Sequence, residues 1–234
     1  MGILDDRIIL DAKLKFVLQI IACLAFVLVS NQFISFDFLF KSKILSIALT
    51  IFLMLSIINA FNLIDGLDGL ASGLSLISLV SLSLISDINL NYIIYPLIGS
   101  ILVFLIKNSY PAKVFLGDSG SYTLGYSLAV FIIVIIASNL EINGTLEMSS
   151  ILLFIAIPII DVTFAFSRRI INKVGIFSPD KKHLHHQLLN KGISHPDAVF
   201  ILYFIHSLFA LLGLIIFKVQ LTISLFLLFI PFIY

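Results

Sequence analysis

The 234-residue sequence contains a single cysteine, Cys23, and only 12% charged residues. One thiol excludes a disulfide framework and any metal site built on several cysteines. Cys23 lies in an apolar stretch and is expected to pack there. So little charge excludes an ordinary soluble domain, in which about a quarter of the residues are charged. Instead 60% of the residues are hydrophobic and the mean hydropathy is +1.17, so the expected solvent is a bilayer. No basic stripe interleaved with aromatics is present, so nucleic acid is not an expected partner. The start, MGILDDRI, lacks the basic stretch of a cleaved signal peptide. Asp6 stands where a myristoylation signal requires Ser or Thr.

What the chain does have is a series of long apolar runs. They fall near 14–34, 43–61, 69–86, 92–107, 120–138, 149–167, 198–217 and 219–234. Backbone groups in hydrocarbon must be paired within the segment, and the alternation of a membrane barrel is missing, so these runs predict helices. The expected fold is an all-α polytopic membrane bundle of about eight transmembrane helices, forming one integral-membrane domain over 1–234.

The basic residues orient this bundle. With the N-terminus in the cytoplasm, Arg7, Lys13, Lys15, Lys107, Lys113, Arg168, Arg169, Lys173, Lys181, Lys182 and Lys191 are cytoplasmic. Only Lys41, Lys43 and Lys218 lie opposite. That is a strong positive-inside bias. The same orientation brings Asp5, Asp6, Asp65, Asp68 and Asp118 to the cytoplasmic face. Asp37, Asp87, Glu141 and Glu147 read as solvated charges on the other side. The longest polar stretch, 168–197, becomes a cytoplasmic loop rich in His and Lys.

Four stretches carry the chemistry. In IINAFNLIDGLDGLASG (57–73), Asn59, Asn62, Asp65 and Asp68 recur every three residues, which on a helix gives one polar stripe. In KNSYPAKVFLGDSGSYTLGY (107–126), Asp118 sits among glycines and serines that open an apolar helix, a setting that suits a metal-bound phosphate or a simple helix cap. In SPDKKHLHHQLLNKGISHPDAV (178–199), His183, His185 and His186 adjoin Lys182. No HExxH pattern accompanies them, so a cationic cluster facing a diphosphate fits better than a zinc site. Ser194 to Asp197 reads as a capping box for the next helix. The fourth stretch holds Asp5 and Asp6, which as neighbours on a helix point about 100° apart. His206 reads as a satisfied bundle residue. Asp161 is expected either to pair with Arg168 or Arg169 or to support the site.

Hard carboxylate oxygens favour Mg²⁺, with Mn²⁺ as a substitute. Magnesium beside basic residues and glycine-rich turns points to phosphate chemistry, and the adjoining apolar helices point to a lipid substrate. The expected activity is therefore metal-assisted phosphoryl transfer from a cytosolic donor to a lipid acceptor. An ion-coupled transporter would gather its acids near the bilayer midplane, not at one surface. A CDP-alcohol phosphatidyltransferase would carry an arginine soon after its first acids, and no arginine follows Asp68 until Arg168.

NAFNLIDGLDGLASG, VFLGDSGSYTLGY, HLHHQLLNKGISH and GILDDRIILDAKLKFVLQ together resemble the polyprenyl-phosphate N-acetylhexosamine-1-phosphate transferases. The bacterial undecaprenyl-phosphate GlcNAc-1-phosphate type is the nearest pattern. The resemblance implies a multi-pass enzyme of the bacterial inner membrane with its active site in the cytoplasm. Its substrates would be a UDP-N-acetylhexosamine and undecaprenyl phosphate, with UMP released in the first membrane step of envelope polysaccharide synthesis. It implies Asp118 as the magnesium ligand. It implies Asp5, Asp6, Asp65, Asp68, His183, His185 and His186 in catalysis, and Asn59, Asn62, Asn108, Phe115 and Lys182 near the substrates. A homodimer is compatible with the sequence. Family members carry further spans ahead of the paired acids, so the chain is expected to be N-terminally incomplete relative to them. A non-catalytic family member is the alternative that follows from this departure.

Overall fold

The structure is a computed structural model and describes residue 2 and residues 10–36, 41–138, 145–175 and 182–219. Among these the secondary structure is entirely helical. In chain order the elements are α1 (Ala12–Ser30), α2 (Lys43–Leu63), α3 (Leu70–Ser83), α4 (Ile88–Asn108), α5 (Gly117–Ser138) and α6 (Thr145–Leu152). A 3-10 turn (Leu153–Ile155), α7 (Ala156–Ile171), α8 (Leu184–Asn190) and α9 (His195–Val219) follow.

Among the described residues six helices are long and apolar enough to cross a membrane: α1, α2, α4, α5, the continuous run Met148–Ile171, and α9. The predicted run 69–86 is the shorter apolar helix α3. Its 14 residues reach about 21 Å, less than the roughly 30 Å hydrocarbon thickness. The expected boundary between the last two spans also moves, because α9 runs through Phe217 to Val219. The predicted span beyond it, like Asp5, Asp6, Asp37, Glu141 and Lys181, lies outside the described residues.

The outward surface matches a lipid solvent. Val29, Ile44, Ile106 and Phe52 are all exposed, as large apolar side chains facing hydrocarbon would be. The inside is built around α3, which touches α4, α5 and α9, while α2 lies along α5. Serines line α3, and Ser75 and Ser81 each return their hydroxyl to the carbonyl four residues earlier. Polar groups are thereby satisfied within the helix. Cys23 is fully buried with Gln19 and Val27 in a single stripe along α1, as the four-residue spacing requires.

Two polar pairs pin the helices against one another. Gln19 and Asn59 exchange hydrogen bonds between α1 and α2, at 2.7 and 3.4 Å. Ser78 donates at 2.6 Å to the Phe154 carbonyl, which sits where the 3-10 turn interrupts the helix, and lies 3.1 Å from His206 Nε2. His206 is therefore a buried bundle residue as expected, but it is satisfied at one nitrogen only, because its buried Nδ1 has no hydrogen-bond partner.

Candidate functional site

The polar residues that the sequence scatters over 180 positions come together at one end of the bundle. Lys15 on the first turn of α1 forms an ion pair with Asp118 on the first turn of α5, Nζ to Oδ2 3.1 Å. Asn62, near the end of α2, donates to Asp118 Oδ1 at 3.3 Å and to the Ser121 hydroxyl at 3.0 Å. Three helices thus converge on one carboxylate.

The acids 65 and 68 differ from their expected placement. They do not share a helix face, because α2 stops at Leu63 and α3 starts only at Leu70. Gly69, at φ 79°, takes a left-handed conformation immediately before α3, so the turn does not run into that helix as one continuous helix. In the resulting turn the two acids part company. Asp68 accepts from the Ala112 amide at 3.0 Å, and its own amide donates to His195 Nε2 at 2.9 Å. Asp68 thereby ties the 109–116 loop and the start of α9 to the turn. Asp65 faces the field of Asp118.

The histidines also differ from expectation. The predicted 168–197 loop contains a helix, α8, folded back onto the bundle, and α7 and α9 take up its two ends. His183 and His185 are buried, at 5% and 1% exposure. The His183 and His185 rings lie parallel 5.8 Å apart, and His186 sits 4.2 Å from His185. Gly66 is what lets His185 approach the acid turn, since a Cβ there would collide with the imidazole Nε2. Asp161 supports this arrangement and does not bind the nearby arginines with its carboxylate. Its Oδ2 meets His183 Nδ1 at 2.8 Å and its Oδ1 accepts from the Leu184 amide at 2.8 Å.

Other predicted residues are placed as follows. Asn59 directs its amide to Gln19 and to the Leu55 carbonyl, within the bundle. Asn108 is buried, accepts from Ser72 at 2.6 Å and donates to the Val114 carbonyl at 2.9 Å, so it holds the base of the 109–116 loop. Phe115, on that loop, is 73% exposed. The Lys182 carbonyl accepts from Gln187. The expected Ser194 capping box forms in part: the Asp197 amide donates to Ser194 Oγ at 3.4 Å, while the Asp197 carboxylate accepts from the Ser194 hydroxyl. His195 and Tyr110, whose rings lie 4.7 Å apart beside Asp68, were not picked out by sequence. The one available signal for His195 was its position beside a helix start, and that reads equally well as capping.

Electrostatics mark Asp65 and His185. Asp65 is raised from 3.8 to about 6, first by burial and then by the charge of Asp118. His185 is lowered from 6.5 to about 4, first by burial and then by His186, with Asp161 opposing. His185 is therefore neutral near pH 7, which narrows the expected cationic cluster. The two groups have opposite linkage. Asp65 holds its proton more tightly when folded, so its contribution to stability falls as pH rises from about 4 to 6. His185 holds its proton less tightly, so its contribution rises from about pH 4 to 6.5. Their slopes oppose across the shared window. Asp65→Asn is expected to make the melting temperature climb more steeply over that window than in the unaltered chain. Circular dichroism melts in detergent test this, and equal slopes would mean the Asp65 carboxyl is not perturbed.

A profile of glycosyl transferase family 4 matches residues 1–136, more than half of the chain and including Asp65, Asp68 and Asp118. The chain belongs to glycosyl transferase family 4. A protein of Bacillus subtilis strain 168, described as a probable undecaprenyl-phosphate N-acetylglucosaminyl 1-phosphate transferase, is 37% identical over 98% of this chain and 66% of its own length. A decaprenyl-phosphate N-acetylglucosaminephosphotransferase of Mycobacterium tuberculosis H37Rv is 37% identical over 86% of this chain and 57% of its own length. An undecaprenyl-phosphate alpha-N-acetylglucosaminyl 1-phosphate transferase of Escherichia coli O157:H7 is 28% identical over 92% and 61%. This family 4 chain therefore spans roughly three-fifths of the length of these curated relatives. The similarity to the Bacillus protein also runs well past residue 136, so it reaches the histidine turn.

Proposed function

We propose that this family 4 chain transfers N-acetylglucosamine 1-phosphate from UDP-GlcNAc to a polyprenyl phosphate, undecaprenyl phosphate in the first instance, and releases UMP. The single observation that carries the reading is the convergence of Lys15, Asn62 and Asp65 on Asp118 at one end of an apolar bundle. The names of the relatives supply the N-acetylglucosamine 1-phosphate group and the lipid, and the motif resemblance supplies the UDP-sugar as donor. The positive-inside bias assigns that end to the cytoplasm, where a UDP-sugar is available.

In the proposed reaction a lipid phosphate oxygen attacks the β-phosphorus of UDP-GlcNAc. The new bond is the lipid-side phosphoanhydride, and the bond broken joins the β-phosphorus to the UMP oxygen. One phosphoanhydride replaces another, so the reaction is reversible. Lys15 brings positive charge to a centre where a diphosphate meets the attacking lipid phosphate. Asn62 orients the Asp118 carboxylate, and Asp68 holds the 109–116 loop in place beside it.

No group of three His, Cys, Asp or Glu able to hold a metal is present among the described residues. Magnesium commonly takes one or two protein carboxylates and completes its shell with substrate phosphates and water. Asp65 and Asp118 meet that requirement, and their mutual repulsion is the kind a divalent cation relieves. These two would hold it, and it would offset the charge of the diphosphate. Added Mg²⁺ is accordingly expected to raise the melting temperature more at pH 8 than at pH 5, where Asp65 is protonated. Asp118→Asn should remove the increment. An increment independent of pH and of Asp118 would place the ion elsewhere.

The function is tested with membranes, labelled UDP-GlcNAc, undecaprenyl phosphate and Mg²⁺. The expected products are UMP and a lipid-linked GlcNAc diphosphate, and added UMP should drive the reverse reaction. Release of UDP would indicate sugar transfer without its phosphate and would overturn the proposal.

A further inference from the structure

We propose that Asp161 is a positioning residue of this transferase, acting through His183 to fix which ring nitrogen the histidine turn offers to substrate. The inference rests on the transferase reading and extends it to a residue that reading does not use.

Asp161 belongs to α7, ten residues before that helix ends, which at 1.5 Å per residue is about 15 Å into the bundle. It is 2% exposed. A carboxylate held so deep is retained only where it is fully hydrogen-bonded. Both of its oxygens serve the histidine turn. One meets His183 Nδ1 and the other accepts the Leu184 amide, each at 2.8 Å. His183 is the residue preceding α8, and its own side chain does not cap that helix. The cap comes instead from Asp161 on a different helix. One carboxylate therefore sets both the position of α8 and the orientation of the His183 ring.

It also sets a proton. A carboxylate only accepts, so the short contact requires the proton on His183 Nδ1. Nε2 is left as the ring nitrogen available to a ligand. The ordering continues toward the acids: His183 stacks parallel to His185, and His185 lies against Gly66, the neighbour of Asp65. Asp161 thereby acts on the acid turn without touching it.

Asp161→Asn separates positioning from packing. The amide has almost the same shape, and its oxygen still accepts from Leu184. Its nitrogen, however, donates to His183 Nδ1 and moves the ring proton to Nε2. The first measurement is ¹⁵N NMR of histidine-labelled full chain in detergent, with His183→Asn used to assign the signal. The expected result is Nδ1–H in the unaltered chain and Nε2–H in Asp161→Asn, at an unchanged melting temperature. The second is turnover with UDP-GlcNAc and undecaprenyl phosphate. Asp161→Asn should lower kcat by at least about tenfold, the scale of losses when an orienting partner is removed, and leave KM for UDP-GlcNAc within about twofold. Because Asp161 acts through His183, the double variant with His183→Asn should lose no more than His183→Asn alone. An unchanged tautomer, an unchanged kcat or additive losses would each overturn the proposal. An unaltered chain that yields no UMP would instead overturn the transferase reading, and the NMR comparison would still decide the role of Asp161.

Discussion

Asp118→Asn is expected to reduce transfer by about 10³-fold, the upper end of the losses when one group arranged around a developing transition-state charge is removed. The expectation follows from where the carboxylate sits. It is the only acid here that joins α1, α2 and α5 through Lys15 and Asn62 among the described residues. The amide keeps the size of the side chain and still offers one oxygen to Asn62, so the bundle should fold. The Lys15 pair is partly open to solvent, with side-chain exposures of 22% and 35%, and its loss should move stability little. The substitution also removes a negative charge facing Asp65, whose carboxyl should then ionise at lower pH. UMP release, the melting temperature and the Asp65 titration measured on one preparation test all three parts. Activity within tenfold of the unaltered chain would remove Asp118 from the chemistry.

Gly66→Ala is expected to give the second largest effect. The added methyl group would collide with His185 Nε2, and that imidazole is buried, at 1% exposure. Overpacking of this kind costs about 1–3 kcal/mol. Displacing the histidine turn by about 1 Å should lower kcat by about a hundredfold, because reacting groups tolerate little misplacement. His185→Ala in the same chain opens room for the methyl group. The double variant should regain stability without regaining turnover. If Gly66→Ala keeps full activity and stability, the contact between the histidine turn and the acid turn is not the one described.

These expectations separate what the sequence makes legible from what it hides. The length of the apolar runs alone locates the long helices, because hydrocarbon leaves the backbone no alternative, whereas the short polar helix α8 is not legible in this way. The distribution of Lys and Arg alone gathers Asp65, Asp68 and Asp118 at one end. The turn at 64–69 is less legible. A three-residue spacing fits a helix equally well, and only the structure shows that α2 ends at Leu63 and that Gly69, in the left-handed region, precedes a separate helix. Partners far apart in sequence are hidden altogether. Asp68 and His195 are 127 positions apart, and nothing in the local spacing of either names the other. Asp161 is similar, since the two arginines that follow it are the nearer charges by sequence, yet its carboxylate turns to a histidine 22 positions on. Asn59 and Asn108 show the converse: amides grouped with the site by motif spend their hydrogen bonds holding helices and a loop together.

The Gln19–Asn59 pair lies one turn along α1 from Lys15 and one turn along α2 from Asn62. Apolar side chains alone would let two such helices slip lengthwise with little penalty, since one leucine replaces another against the same neighbour. The amides act as a detent against that slip. A shift of a single turn, 5.4 Å, would break both of their bonds and carry the Lys15 ammonium out of reach of Asp118. The axial reading of the two helices is thus locked a few ångströms below the place where charge alignment matters.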